Sequence, residues 1–305
     1  MGPALAESGN RVVITGASGF VGRALAARLA ARFDTLSLGS PDWESRLAHT
    51  HLGGATVLHL AGRVHSPGDD EAAFQADNAG KTRVLAESAA RQGARRVVYL
   101  STIKVYGEES PGRPLGGDDP PKPEDAYARS KLAAEQALTE VARRSGLEAV
   151  IVRSPLVYGP GARANLAAFL RLVDGPWPLP FASLTAPRSF VQVDDLARLL
   201  VACAELPQAR GRTYIAAHAS PFTTAQLATL VRRALGRAPR LWPMPAPLLE
   251  AAAALLGQAA KARRLTRSLL ADPSAAEREL GWTATVPIEQ AVEEMVRDYN
   301  ARQRT

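Results

Sequence analysis

Residues 11–22 constrain this chain more than any other stretch: Arg11-Val12-Val13-Ile14-Thr15-Gly16-Ala17-Ser18-Gly19-Phe20-Val21-Gly22. An apolar run ends in a glycine turn, and an alanine-rich helical pattern follows over residues 23–31. The reading is strand, tight turn, helix start. A helix start presents unpaired backbone N–H groups and the positive end of a dipole. Glycines let the backbone approach a pyrophosphate closely at that point. Glycine spacing alone is a weak signal, but a strand before it and a helix after it are the context the motif requires. A dinucleotide is therefore expected along Gly16, Ser18, Gly19, Phe20, Val21 and Gly22.

Further apolar runs at 35–39, 57–62, 96–102 and 149–153 alternate with helical patterns at 72–92 and about 125–145. Such alternation predicts an α/β fold, a doubly wound parallel sheet of Rossmann type. About seventeen residues, 40–56, separate the second and third runs and hold one short helical pattern at 41–47. That is too little for a further helix and strand, so one strand is expected to be shortened or lost there. Beyond Tyr158 the alternation breaks. A helix at 165–173, a proline-rich stretch at 175–187, a strand at 189–193 capped by Asp194, a strand at 213–217 and helices to residue 300 are expected. The predicted division is a dinucleotide-binding domain of residues 1–158 plus 188–218, and a smaller, mostly helical substrate lobe of 159–187 plus 219–305.

The 305 residues carry 37 basic and 30 acidic side chains, a net charge of +7. The excess falls in arginine pairs, Arg95-Arg96, Arg143-Arg144, Arg232-Arg233 and Arg263-Arg264, expected on solvated helix faces. No long basic run interleaved with aromatics occurs, so nucleic acid is not an expected partner. The mild positive field favours a phosphate-bearing substrate. Cys203 stands in an apolar helical run and is expected to be a buried, inert thiol, which suits a reducing compartment. Residues 1–10 lack the basic region and apolar core of a secretory signal. The apolar stretch 245–260 contains Glu250 and Gln258 and is too short to span a bilayer. A cytoplasmic protein with no membrane span and no metal is expected; the amphipathic run 247–264 could lie on a membrane surface and is expected instead as a lobe helix packed on its neighbours.

Tyr127 and Lys131 stand four apart in one helical pattern and so share a face. An ammonium beside a phenol is expected to lower the tyrosine pKa and ready it for proton exchange with an alcohol or ketone. Thr102, ending the preceding strand, can hydrogen-bond the same oxygen. At the adenosine end the second strand closes on Gly39-Ser40, neither acid nor arginine, with Asp42 beyond. Ser40 is expected at the ribose, Arg23 or Arg63 could meet a 2′-phosphate, and NAD or NADP stays open. His59 reads as a packed core residue.

Together the glycine turn, Leu60-Ala61-Gly62, Asn78, Ser101-Thr102 and Tyr127-Ala128-Arg129-Ser130-Lys131 resemble the extended short-chain dehydrogenase/reductases, the NAD-dependent epimerase/dehydratase family, over nearly the whole chain from Arg11. The resemblance implies Tyr127 as acid/base, Lys131 on the nicotinamide ribose, Thr102 assisting, and Leu60, Ala61, Gly62, Asn78 and Pro155 along the cofactor. It also implies a homodimer through helices 72–92 and 125–145. The stretches 100–108, 154–166, 271–273 and 280–282 are similar to the bacterial polysaccharide branch of nucleotide-sugar 4-epimerases and 4-ketoreductases. By that similarity Lys104, Asn165, Arg188 and Arg264 meet the substrate, the arginines as forks on its pyrophosphate. Resembling 4,6-dehydratases carry Asp-Glu after the threonine. Here Ile103-Lys104 stand in those places, so water elimination lacks its acid and base.

The expected activity is therefore NAD(P)-dependent oxidoreduction of a nucleoside-diphosphate sugar, as a 4-ketoreductase on a UDP-linked 6-deoxyhexose. The trimmed adenosine region favours an exchanging cofactor. A 4-epimerase with retained NAD is the alternative. A non-catalytic NAD(P)-binding sensor or scaffold is a second alternative, weakened by the Tyr127/Lys131 pair, and a reductase of an apolar ketone needs no phosphate clamp.

Overall fold

The computed structural model describes residues 11–29, 33–65, 70–162 and 164–304, without the side chains of residues 164, 165, 260 and 261. Residues 1–10, and with them the leader reading, lie outside the described residues. In chain order the elements begin β1 (Val12–Thr15), α1 (Phe20–Arg28), β2 (Asp34–Leu36), α2 (Trp43–His49) and β3 (Thr56–His59). Then follow α3 (Glu71–Phe74), a π turn (Gln75–Gly80), α4 (Lys81–Arg91), β4 (Arg96–Thr102), a 3₁₀ turn (Ile103–Tyr106), α5 (Ala126–Ser145) and β5 (Glu148–Ser154). The rest comprises β6 (Leu156–Tyr158), α6 (Ala164–Asp174), β7 (Pro187–Arg188), β8 (Phe190–Gln192), α7 (Val193–Glu205), β9 (Thr213–Ile215) and β10 (Phe222–Thr223). It closes with α8 (Thr224–Ala234), α9 (Ala246–Leu255), α10 (Ala259–Thr266), α11 (Ser274–Leu280) and α12 (Ile288–Gln303).

Six strands form one parallel sheet in the order β2-β1-β3-β4-β5-β9. Alternate residues of each strand serve opposite faces. Val12 and Ile14 of β1, Leu58 and Val98 pack under α1 and α7. Val13, Val57, Val97 and Tyr99 pack under α2, α4 and α5. Both faces are covered, which makes the sheet doubly wound. Among the described residues the strand expected to be shortened or lost is not formed: β2 is the edge, and α2 alone joins it to β3. A third cluster lies outside the sheet. There Phe190 stacks on Phe222 with ring centres 4.1 Å apart, and Leu170 of α6, Val231 of α8 and Met295 of α12 close around them.

Four expectations need correction. The helix expected over 72–92 is interrupted by the π turn at Gln75–Gly80, which carries Asn78. Gln192, not Asp194, caps α7, because its side-chain oxygen accepts the N–H groups of Asp194 and Asp195. Arg96 and Arg232 are buried rather than solvated: Arg96 pairs with Glu148 at 2.6 Å and donates to the Cys203 and Leu206 carbonyls, and Arg232 donates to the carbonyls of Gly175 and Trp177. Finally, the run 247–264 forms two helices, α9 and α10, rather than one; they pack on each other as expected, but none of the ten residues of α9 is fully buried. Cys203 is buried as expected, and burial pushes its thiol up. Among the described residues no helix is long and apolar enough to cross a membrane.

Candidate active site

The glycine turn is dictated by contact, not only by flexibility. Gly16 has φ +75°, and a Cβ there would fall 2.7 Å from the Ala61 nitrogen, where the chain leaves β3. A Cβ on Gly22 would fall 2.1 Å from the Gly16 carbonyl oxygen. The Gly19 N–H closes the turn on that same carbonyl at 3.0 Å. Turn, strand end and helix therefore pack backbone to backbone, with Ser18 in the turn and Phe20 and Val21 opening α1. No side chain caps α1 and no acid stands in its first turn, so its N–H groups and dipole remain open to an anion. These residues fit a dinucleotide pyrophosphate. Arg23 donates to the Ser18 carbonyl at 2.9 Å, which sets a guanidinium beside the turn.

The carboxyl end of β3 is held by polar links. His59 is buried and hydrogen-bonded on both nitrogens, to Thr15 at 2.6 Å and Thr82 at 2.9 Å. Burial, with the Lys131 charge, brings its pKa down to about 3, so it is the neutral core residue expected from sequence. Leu60, Ala61 and Gly62 follow. The buried Asn78 accepts from the Arg63 N–H at 2.7 Å and donates to the Arg63 carbonyl at 3.0 Å and the Ser130 hydroxyl at 2.8 Å. Its amide thus clips the Gly62 segment to α5.

At the adenosine end Ser40 hydrogen-bonds Asp42. Lys81, which the sequence reading passed over, reaches the Leu38 carbonyl at 2.9 Å and pairs with Asp77 at 2.7 Å. Arg63 meets the same Asp77 at 2.6 Å.

The Asp125 side chain caps α5 by accepting the Ala128 N–H at 2.7 Å, which fixes the first turn carrying Tyr127. The Thr102 hydroxyl, which accepts the Lys104 N–H at 3.3 Å, is near enough to the Tyr127 phenol to pull its pKa down. One turn on, the buried Lys131 donates to the Leu100 carbonyl at 2.7 Å and lies 4.1 Å from the centre of the Tyr99 ring. Sequence expected the lysine to lower the tyrosine pKa. The phenol instead rises to about 12, because burial and the Asp125 charge outweigh the Thr102 hydrogen bond. Lys131 falls to about 7, because burial opposes its charge more than Glu135 supports it. Pro155 follows Ser154, the register partner of Thr102 across β4 and β5.

Above Tyr127 lies a charged cluster. Lys104 bridges Glu108 at 2.8 Å and Asp125, with its ammonium 5.9 Å from the centre of the Tyr127 ring. Arg264 reaches the same two carboxylates at 3.2 and 3.5 Å. Arg188 donates to the Arg267 carbonyl at 2.8 Å, and burial lowers its pKa against the pull of Glu108. Burial would raise the Asp125 carboxyl, but the Lys104 and Ala128 hydrogen bonds and the nearby cations hold it below the usual range. Lys104, Arg188 and Arg264 thus come together. Asn165 lies in α6, and its side chain is outside the described residues. Sequence reasoning missed Glu108 and Asp125. Their signals were present, since Glu108 stands four residues after Lys104 and Asp125 sits where a helix cap is preferred.

This arrangement sets a pyrophosphate cradle on the glycine turn, a phenol with a hydroxyl partner at the end of β4, and cations beyond it. The model of the NAD dependent epimerase/dehydratase family matches residues 12–217. The chain is 33% identical to a UDP-glucose 4-epimerase of Vibrio cholerae, covering 89% of this chain and 90% of that protein. It is also 33% identical to a dTDP-4-dehydrorhamnose reductase of Mycobacterium tuberculosis, over 70% of this chain and 72% of that one. The solved structure of RMD from Pseudomonas aeruginosa complexed with NADPH superposes with a TM-score of 0.78 at 22% identity, covering 96% of this chain and all of that one. The chain is an NAD(P)-dependent enzyme of the short-chain dehydrogenase/reductase type and belongs to the NAD-dependent epimerase/dehydratase family.

Proposed function

We propose that this enzyme reduces the 4-keto group of a UDP-linked 6-deoxyhexose and releases the oxidised cofactor. The observation that carries the reading is the placement of the Tyr127 phenol: its turn is fixed by the Asp125 cap, Thr102 ends β4 beside it, Lys131 is anchored one turn on at the Leu100 carbonyl, and burial holds it up at about 12. Such a phenol is protonated throughout the neutral range, the state from which it donates a proton to a carbonyl oxygen. When bound, NADPH or NADH supplies the hydride. Thr102 and Tyr127 orient the keto oxygen between them, and Tyr127 delivers the proton to it. Lys131, anchored on the Leu100 carbonyl, holds the nicotinamide ribose beneath the phenol. Gly16, Ser18, Gly19, Phe20, Val21 and Gly22 carry the pyrophosphate, Leu60, Ala61, Gly62 and Pro155 flank the nicotinamide half, and Ser40 meets the adenosine ribose. Asn78 lies along the cofactor and also clips the Gly62 segment to α5. Lys104, Asn165, Arg188 and Arg264 receive the sugar nucleotide.

In this reading residues 1–158 plus 188–218 hold the cofactor and residues 159–187 plus 219–305 hold the substrate. Two copies pair through α4 and α5, whose outer faces frame an open depression lined by Arg91, Val141 and Arg144. A second reading, 4-epimerisation with retained NAD, is favoured by the end-to-end match to the Vibrio cholerae relative named UDP-glucose 4-epimerase. The deciding experiment takes freshly purified protein and measures bound NAD, NAD(P)H consumption on a UDP-4-keto-6-deoxyhexose, and interconversion of UDP-glucose and UDP-galactose. Consumption of reduced cofactor with little retained NAD is expected. Stoichiometric retained NAD with interconversion and no net consumption would overturn the reductase reading.

A further inference from the structure

The helix α9 reverses the usual surface pattern. Its half-buried positions are Ala246, Leu249, Glu250 and Ala253, spaced as one helical face. Glu250, its single charge, is turned inward and accepts the Thr266 hydroxyl. The outward face carries Leu248 and Leu255 among alanines, and Leu256 follows directly, with exposures of 60, 90 and 77%. Solitary exposed leucines are ordinary, but a contiguous uncharged face is not. Two exposed tryptophans lie in the segments that lead towards it. The chain enters α9 from Trp242, and Trp177, 78% exposed, stands two residues from the bridge that ties Leu179 to Leu241.

The surroundings are basic. Residues 237–267 contain Arg237, Arg240, Lys261, Arg263, Arg264 and Arg267 against the single acid Glu250. Arg237, Arg264 and Arg267 are paired with Asp174, Glu108 and Glu109, while Arg240 and Arg263 are exposed in the segments that lead into and out of α9. An apolar helix face with tryptophans and flanking arginines has the chemistry of the bilayer interface, where leucines enter the acyl boundary and guanidinium groups meet headgroup phosphates. A second copy fits less well, because a two-fold contact through this face would set like-charged arginines against each other.

We propose that α9, with Trp177 and Trp242, docks the enzyme on the surface of an anionic membrane. Because α10 carries Arg264 into the Glu108/Asp125 cluster, docking sets the substrate end of the site next to the headgroups. The proposal stands independently of which sugar reaction the enzyme performs.

The test is cosedimentation of the full chain with vesicles of phosphatidylcholine alone and of phosphatidylcholine with phosphatidylglycerol, followed by tryptophan emission. Binding to the anionic vesicles, a blue shift and weakening by salt are expected. The double variant Leu255→Ser/Leu256→Ser should lose binding about tenfold or more at unchanged Tm, and Arg240→Glu/Arg263→Glu should lose it on anionic vesicles by a similar factor. Failure of the native protein to bind either vesicle overturns the proposal. So does a fall in solution mass of the leucine variant, which would assign the face to a second copy.

Discussion

The Lys131 ammonium lies 2.7 Å from the carbonyl oxygen of Leu100, one turn below the Tyr127 phenol. This anchor keeps the lysine in a buried site that lowers its pKa to about 7, while Tyr127 stays protonated to about 12. The two groups therefore predict a pH profile for the ligand-free enzyme. The charged lysine is present below about 7 and is lost above it, so kcat/KM for reduction should fall as pH rises through that value, with no Tyr127 limb below pH 10. In Lys131→Arg the guanidinium stays charged, and the limb near 7 should vanish even where overall activity drops.

Tyr127→Phe removes the proton donor and leaves the ring packed near Phe74, whose centre is 6.0 Å away. Turnover should fall by about 10²–10⁴, the usual worth of a general acid. Cofactor affinity, read by nucleotide fluorescence titration, should stay within about twofold, since the phosphate cradle lies elsewhere.

Gly22→Ala places a methyl 2.1 Å from the Gly16 carbonyl oxygen and 2.7 Å from the Ala17 Cα, both of them backbone atoms. The turn must open. A loss of about 1–3 kcal/mol in urea unfolding is expected, with weaker cofactor binding as a second readout. Retained stability and affinity would contradict the backbone-to-backbone packing described above.

His59 links stability to pH. The unfolded chain takes up its proton near 6.5, the folded protein only near 3. Between those values the unfolded state holds more protons, so stability is lost as pH falls below about 6.5, by up to about 1.4 kcal/mol per unit from this group. Urea midpoints at pH 7 and 5 should separate for the native protein more than for His59→Gln.

Glu108 competes with an incoming anion for Lys104 and Arg264. Glu108→Gln leaves the shape and removes the charge, so KM for a sugar nucleotide should fall by about threefold, the scale of a partly exposed ion pair. An increase in KM would show that Glu108 orients the arginine instead.

Much of this was legible in residue order. The glycine turn, the alternating apolar runs, the short 40–56 interval and the Tyr127/Lys131 spacing are local patterns, and each corresponds to a local structure. What escaped depends on contacts between distant segments. Asp125 meets Lys104 across 21 residues of chain, and Arg264 meets Glu108 across more than 150. The Tyr127 shift was misjudged because spacing reports which face a residue occupies, not how deeply that face is buried. Arg96 shows the same limit: an arginine pair reads as solvent-facing, yet the end of α7 supplies carbonyls that take one of its members inside.

The shortened sheet has one more consequence. Among the described residues no strand lies outside β2, so it forms a sheet border, the kind onto which foreign chains can add and aggregate. Here that border spans three residues, Asp34 and Thr35 are exposed, and Arg11 pairs with Asp34 beside it. A brief, charged rim gives an approaching strand little to template on, so the chain tolerates the deletion while remaining protected against edge-to-edge self-association.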